Sequence, residues 1–360
     1  MGRLTFLDGL RGIALILMVL NHTARDWMDT SVMGWGRYYL VYGSLLLPAP
    51  IFLFLVGFCL PIGYHRKRRA DAPEPVDEPL GTRAARYLRR GIGIVAAGYL
   101  LNLLITPDLP WWWGGVLQTI GLAIIVLGPA LPLLRSRASR WMLVAAAMLA
   151  YLAFGLAFPA LARWAAHTPL SRALFNDFPP WPWLAAAILG LVLGWMWLDC
   201  RAKGPDVERR FFTWVAVVGA AGVIAALVWE WLVPTAATPR IGFPRDFSVN
   251  RHWTPRGATT VFVMGGVALL LSFTYWLMER RRVALPWLVT FGQAALMLYF
   301  THQLIELTLV KNILGLRFND WPLYIAANAV LLVLLVYMGR AWIAIKAWRA
   351  RCSAARAAAR

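Results

Sequence analysis

The chain has 360 residues, of which 60% are hydrophobic and only 15% are charged, and its formal net charge is +19. So few charged residues exclude an ordinary soluble globular protein. The excess of positive charge does not indicate a nucleic-acid binder, because the Lys and Arg residues lie in short segments between apolar stretches and not on one face.

Apolar stretches near the length needed to cross ~30 Å of hydrocarbon recur along the chain. Backbone polar groups in a bilayer must be satisfied within the chain, so these stretches predict helices. We therefore predict an all-α fold, a polytopic membrane helix bundle of about ten transmembrane helices, with residues 1–360 as a single transmembrane domain. The first stretch is interpreted as a retained helix, since no A-x-A-like cleavage site follows it. The predicted helices cover residues 5–24, 39–64, 91–106, 114–134, 141–158, 181–198, 212–233, 258–278, 287–309 and 322–347.

Positive charge is unevenly divided between the two ends of these helices. Most of the Lys and Arg residues fall on one side, which includes a linker at about 65–90 and a basic tail at about 348–360. The positive-inside rule makes that side, with both termini, cytoplasmic. The three cysteines have no paired or metal-type spacing, so no disulfide framework and no metal site are predicted.

The first predicted helix carries Asp8, Arg11 and His22 within about 40° of one stripe, at 100° per residue. Ionisable groups at membrane depth are costly without partners, so this face should point into the bundle. Asp8 and Arg11 lie one turn apart, where a plain interfacial ion pair is the alternative to a binding role. His22 lies about 16 Å further out. A histidine there can accept a proton or become acylated, or can simply hydrogen-bond a neighbouring helix.

The ninth predicted helix places Tyr299, His302 and Glu306 on one polar stripe, at i, i+3 and i+7 spacing. A carboxylate one turn from a histidine can fix its tautomer, so we expect Glu306 to orient His302. A structural lock between helices and a proton relay in a transporter are equally compatible with the stripe. The sequence also leaves open whether His22 or His302 is the base.

One outer loop, residues 234–257, holds Asn250, Arg251 and Trp253 close together. These side chains can bind a carbohydrate or an anionic group by stacking and hydrogen bonding. The alternative is ordinary packing at the membrane interface.

Five segments resemble one family in the same order: RLTFLDGLRGIALILMVLNH (3–22), PAPIFLFLVGFCL (48–60), GGVLQTIGL (114–122), VNRHWTP (249–255) and FGQAALMLYFTHQL (291–304). The chain is identified by them as similar to the heparan-α-glucosaminide N-acetyltransferase family and, more distantly, to the acyltransferase-3 membrane family. The resemblance implies transfer of an acetyl group from cytoplasmic acetyl-CoA to the amino group of a terminal sugar on the opposite face. Acyltransferase-3 relatives use sugar hydroxyl groups.

The resemblance also implies roles for single residues. His22 falls where acyltransferase-3 proteins place their key histidine and where the acetyltransferases place an active-site asparagine, with Asn21 as its neighbour. His302 matches a histidine of the C-terminal helix motif, and Asn250 and Trp253 match the lumenal loop. The loop at 25–37 departs from the family pattern, because it lacks the acetyl-accepting histidine of the glucosaminide enzymes. An acyl-histidine in that loop is therefore not expected here.

The predicted function is that of a membrane acyltransferase with acetyl-CoA as cosubstrate. The expected catalytic residues are His22, His302, Glu306 and Asn21. The expected cofactor-binding residues are Arg11 and Asp8, with the 65–90 segment near the CoA phosphates. The expected substrate-binding residues are Asn250, Arg251 and Trp253. A multi-pass permease or a glycan or lipid translocator is the alternative, and a membrane scaffold without chemistry is a third.

The expected partners are membrane lipid, acetyl-CoA and a periplasmic or cell-surface glycan, with no nucleic acid; a homodimer is compatible with the sequence. No lumenal domain precedes the helices as it does in the lysosomal enzyme. We therefore expect a bacterial-type protein of the inner (plasma) membrane.

Overall fold

The computed structural model describes residues 3–29, 47–70, 79–105, 114–165, 180–232 and 257–358. Within these ranges the chain is helical apart from short connections and an isolated bridge between Met28 and Phe318. The predicted all-α class is confirmed. The helices are α1 (Thr5–Trp27), α2 (Pro48–Ala70), α3 (Leu80–Ile105), α4 (Val116–Ala130, with a 3₁₀ turn Leu131–Leu134), α5 (Arg137–Ala165), α6 (Pro180–Ala202), α7 (Pro205–Leu232), α8 (Gly257–Tyr275, continued by a π-helical turn Trp276–Arg280), α9 (Pro286–Gln293), α10 (Ala295–Gln303, continued by a π-helical segment Leu304–Ile313) and α11 (Trp321–Ala358).

Eight helices in the described part of the chain are long and apolar enough to cross a membrane, and the count is nine if α9 and α10 form one span. This confirms the polytopic membrane class. The span expected at 141–158 is a helix, α5.

Helices extend further into the basic segments than the apolar pattern predicts. Helix α2 continues to Ala70 and α3 begins at Leu80, so the predicted linker at 65–90 is helical at both of its ends. The predicted tail at 348–360 is the last part of α11, which ends at Ala358. Ala, Arg and Lys are good helix formers, and the length of an apolar run marks only the part of a helix inside the hydrocarbon.

The chain divides into two compact units, one over residues 49–272 and one over residues 2–48 and 273–360. The single domain over 1–360 stays a prediction. In the first unit α2 and α6 approach so closely that a Cβ atom at Gly57 would collide with the carbonyl group of Ala187, and one at Gly190 with that of Phe54. Small residues of this kind let membrane helices pack backbone against backbone.

The second unit is assembled around α1, which packs against α9, α10, the π-helical segment and α11. A Cβ atom at Gly292 would collide with the backbone of Asp8, so α9 lies directly on the N-terminal half of α1. After the π-helical segment the chain crosses the C-terminal end of α1. There the N–H of Phe318 donates to the Trp27 carbonyl at 2.7 Å, and the N–H of Asp29 donates to the Phe318 carbonyl at 3.0 Å.

The prediction of one continuous helix over 287–309 is wrong. The chain breaks at Ala294, whose φ of −102° and ψ of 11° are not helical, and the parts on either side are bent by 83°. From Leu304 the hydrogen bonding is π-helical.

Candidate active site

His22 on α1 and His302 on α10 meet, although 280 residues separate them in the chain. The Nδ1 atom of His22 lies 3.3 Å from Nε2 of His302. Their rings stack with centroids 5.4 Å apart and an interplanar angle of 21°. The structure thus joins the two histidines that the sequence placed on separate polar stripes.

Hydrogen bonding distinguishes the two rings. Nδ1 of His302 lies 2.8 Å from the carbonyl oxygen of Leu298. A carbonyl oxygen only accepts, so Nδ1 of His302 carries a proton, and in a neutral ring its Nε2 offers a lone pair. Nδ1 of His22 must then donate to that lone pair, which leaves Nε2 of His22 as the free basic nitrogen.

Exposure agrees with this assignment. The side chain of His22 is 16% exposed, whereas His302 is fully buried. A substrate can therefore reach His22 and not His302. The geometry makes His22 the candidate base and His302 the residue that positions it.

Glu306 is fully buried in the π-helical segment. Its Oε2 atom lies 3.6 Å from Nδ1 of His22, and no described donor hydrogen-bonds either carboxyl oxygen. Its backbone carbonyl accepts a hydrogen bond from Nε1 of Trp27 at 3.2 Å. The expectation that Glu306 orients His302 differs from this arrangement, because the ring nitrogens of His302 contact Leu298 and His22 instead.

A charged rim surrounds this centre at the end of α1. The carboxylate of Asp26 accepts hydrogen bonds from Nζ of Lys311 at 2.5 Å and from Nη2 of Arg25 at 2.6 Å. The Asp26 carboxylate lies near the Glu306 carboxyl group, and no hydrogen bond joins the two in the described part of the chain. The sequence analysis did not predict Asp26 and Lys311 as site residues. The adjacent charges of Arg25 and Asp26 at the end of an apolar helix could have indicated Asp26.

Asp8 and Arg11 lie at the other end of α1. The Asp8 carboxylate accepts from Nη1 of Arg11 at 2.8 Å and from Nε of Arg3 at 2.7 Å. Its side chain is 7% exposed, against 29% for Arg11. The two residues form the ion pair that the sequence offered as the simpler interpretation, roughly 16 Å from His22 along the helix. Their role in cofactor binding stays a prediction.

The remaining predicted site residues are Asn21 and three residues of one loop. Asn21 is fully buried beside His22. Asn250, Arg251 and Trp253 lie outside the described residues. Their role in substrate binding stays a prediction.

One group of side chains in the described part of the chain has the donor set of a metal site. His22, His302 and Glu306 each offer one ligand atom, and these atoms lie within 4.8 Å of one another. No metal was predicted from the sequence, because the three residues lie on two distant helices.

Fold and site together define a multi-pass helical membrane protein with a histidine pair and a buried carboxyl group at one end of its first helix. Residues 3–231 match the model of a protein family described as heparan-alpha-glucosaminide N-acetyltransferase, catalytic. The chain belongs to this family, and so to a family of membrane acyltransferases. The match contains His22 and ends before His302 and Glu306. No curated protein sequence matches the chain.

Proposed function

We propose that the protein transfers an acetyl group from cytoplasmic acetyl-CoA to an amino or hydroxyl group of an extracytoplasmic glycan. Family membership supports acyl transfer. The observation that carries the proposal is the histidine pair, in which the Leu298 carbonyl and His302 leave Nε2 of His22 free at the accessible side of the site.

In this mechanism Nε2 of His22 accepts the proton of the attacking hydroxyl or amino group. The acceptor oxygen or nitrogen forms a bond to the thioester carbonyl carbon, and the carbon–sulfur bond breaks. The proton on His22 then passes to the CoA thiolate. His302 accepts the Nδ1–H of His22 throughout and so holds the ring in its basic tautomer, the role that a carboxylate has in serine hydrolases.

The same lone pair also allows a second order of events. Nε2 of His22 can attack the thioester itself and form an acyl-imidazole, which the acceptor then attacks. Both routes place the chemistry at Nε2 of His22, and both require the acyl group to reach the C-terminal end of α1.

The two ends of α1 suggest how donor and acceptor are separated. Arg11 and Asp8 lie at the end that the positive-inside rule assigns to the cytoplasm, and the histidine pair lies at the other end. In this proposal the CoA phosphates bind at the Arg11 end of α1, and the glycan binds at the end that holds the histidine pair. The protein then lies in the bacterial inner membrane with both termini cytoplasmic.

The test is transfer of radiolabelled acetyl from acetyl-CoA by membranes containing the protein, offered a panel of amino and hydroxyl sugars. We expect label on a sugar with wild type and none with His22→Ala. Thr213→Val is the control, since Thr213 is exposed and its hydroxyl is bonded within its own helix, to the Arg209 carbonyl at 3.1 Å. A folded protein that binds no CoA and labels no sugar would overturn the proposal in favour of the translocator.

A further inference from the structure

We propose that His22, His302 and Glu306 bind a divalent transition-metal cation of the Zn²⁺ type, and that the bound cation blocks His22 as a base. The claim that a cation binds depends on these three side chains alone. The claim that it blocks His22 rests on the proposed function.

The distances fit tetrahedral coordination. Zn²⁺ binds imidazole nitrogen and carboxylate oxygen at about 2.0–2.2 Å, so two ligand atoms of a tetrahedral site lie ~3.3–3.5 Å apart. Nδ1 of His22 lies 3.3 Å from Nε2 of His302 and 3.6 Å from Oε2 of Glu306. The ligand atoms of the three residues all lie within 4.8 Å of one another.

The buried carboxyl group points to a cation independently of these distances. Glu306 is fully buried, and no described donor hydrogen-bonds its oxygens. The nearby Lys311 and Arg25 are both bonded to Asp26. A buried carboxylate without a hydrogen-bond donor is costly, and a cation bound to it removes that cost.

The surroundings of His302 are those of a metal ligand. Its Nδ1–H donates to the Leu298 carbonyl, which fixes the ring and directs the Nε2 lone pair at His22. Ligating histidines in metalloproteins donate their second nitrogen to a carbonyl or carboxylate in this way. Two histidines and one glutamate leave the fourth tetrahedral position to water.

Metal binding and base catalysis exclude each other at His22. Coordination through Nδ1 requires that nitrogen to give up its proton, and in the neutral ring the one remaining proton then sits on Nε2. With Nε2 protonated, His22 has no lone pair to accept a proton from the acceptor. Zn²⁺ should therefore inhibit transfer reversibly.

The experiment uses the full chain, purified in detergent without a histidine tag and treated with a chelator. Co²⁺ is the probe, since its visible absorption distinguishes tetrahedral from octahedral coordination. We expect an intense tetrahedral spectrum that saturates at one Co²⁺ per chain and is abolished by Zn²⁺. Glu306→Gln and His302→Gln should weaken binding by more than ~10-fold, whereas Glu279→Gln, a carboxyl group of the same unit that is bonded to Thr5, should not.

X-ray absorption at the zinc edge of the wild-type protein tests the ligands without a variant. Two imidazoles with oxygen neighbours are expected. Sulfur neighbours, a purely octahedral Co²⁺ spectrum, or unchanged binding in Glu306→Gln and His302→Gln would each overturn the site.

The outcome separates the two proposals. Co²⁺ binding by a folded protein without any acetyl transfer keeps the metal site and removes the proposed function. Transfer that Zn²⁺ does not affect, with no Co²⁺ binding, removes the metal site and keeps the function. Where both hold, added Zn²⁺ lowers the transfer rate and a chelator restores it.

Discussion

At the scale of single residues, His22 and His302 differ in what a substitution removes. His22→Gln removes the basic nitrogen and should lower the transfer rate by the ~10²–10⁴-fold typical of a general base. His302→Ala removes only the acceptor for the Nδ1–H of His22, so part of the activity should remain. His302→Gln can restore an acceptor through its amide oxygen and should be more active than His302→Ala. Initial rates of acetyl transfer at saturating acetyl-CoA measure all three.

The opposite ranking would exchange the two roles. If His302→Gln were inactive and His22→Gln retained activity, the base would be His302, and the tautomer assignment from the Leu298 carbonyl would be wrong. Thr213→Val serves as control here too, because the Thr213 hydroxyl bonds within its own helix, to the Arg209 carbonyl.

A substitution of Trp27 tests one hydrogen bond that holds α1 against the π-helical segment and leaves the reacting groups unchanged. Its Nε1 donates to the backbone carbonyl of Glu306 at 3.2 Å, and the side chain is 3% exposed. Trp27→Phe keeps an aromatic ring and removes the donor, so it should lower the free energy of unfolding by about 1 kcal/mol, the net contribution of one hydrogen bond. Denaturant unfolding in detergent measures the change. No loss of stability would mean that water replaces the indole N–H.

At the scale of secondary structure elements, the contact of α1 with α9 depends on Gly292. A Cβ atom there would collide with the backbone of Asp8, so Gly292→Ala should destabilise the protein by about 1–3 kcal/mol, as overpacking does. Gly93→Ala is the matched control, because Gly93 is helical and nothing lies within 4 Å of its Cβ position. It should be neutral or gain ~0.5–1 kcal/mol from helix propensity.

Thermal unfolding midpoints of both variants measure the difference. Equal midpoints would show that α9 can move away from α1 at no cost. A lower midpoint for Gly292→Ala together with lost transfer would show that the position of α9 is needed for the site.

Some of the helices could be predicted from the sequence and others could not. Apolar runs predicted α1 and α6 within a few residues, because the hydrocarbon thickness sets the length of a span. The break at Ala294 was not predicted, since Gln293, Ala294 and Ala295 are all compatible with a helix. The packing of α9 on α1 is a long-range contact that the local sequence does not show.

The candidate site was predicted in parts and not as a whole. His22 and His302 were each singled out by their place on an apolar helix, but the period of one helix carries no information on which distant helix it contacts. The Leu298 carbonyl, which decides the tautomer, is a backbone group and has no sequence signal. The role of Glu306 was misplaced because the Leu298 carbonyl and His22 already occupy the two ring nitrogens of His302.

At the scale of the whole molecule, the direction of transfer depends on which side of the membrane each end of α1 faces. The positive-inside rule puts the C-terminal end of α11 in the cytoplasm and the segment that follows α10 outside. Cys352 lies near the first of these, and Arg317, which is exposed, lies in the second. The two positions can therefore report the orientation of the protein directly.

The measurement is labelling by a membrane-impermeant maleimide in intact and in permeabilised cells, with Cys59→Ala and Cys200→Ala in the background. Cys352 should react only after permeabilisation. Arg317→Cys, combined with Cys352→Ala, should react in intact cells as well. Because α1 ends beside the segment that contains Arg317, where Phe318 pairs with Trp27 and Asp29, this labelling also reports the side on which His22 is accessible. The reverse pattern would put the histidine pair on the cytoplasmic side, where acetyl-CoA and acceptor would meet without the acetyl group crossing the membrane.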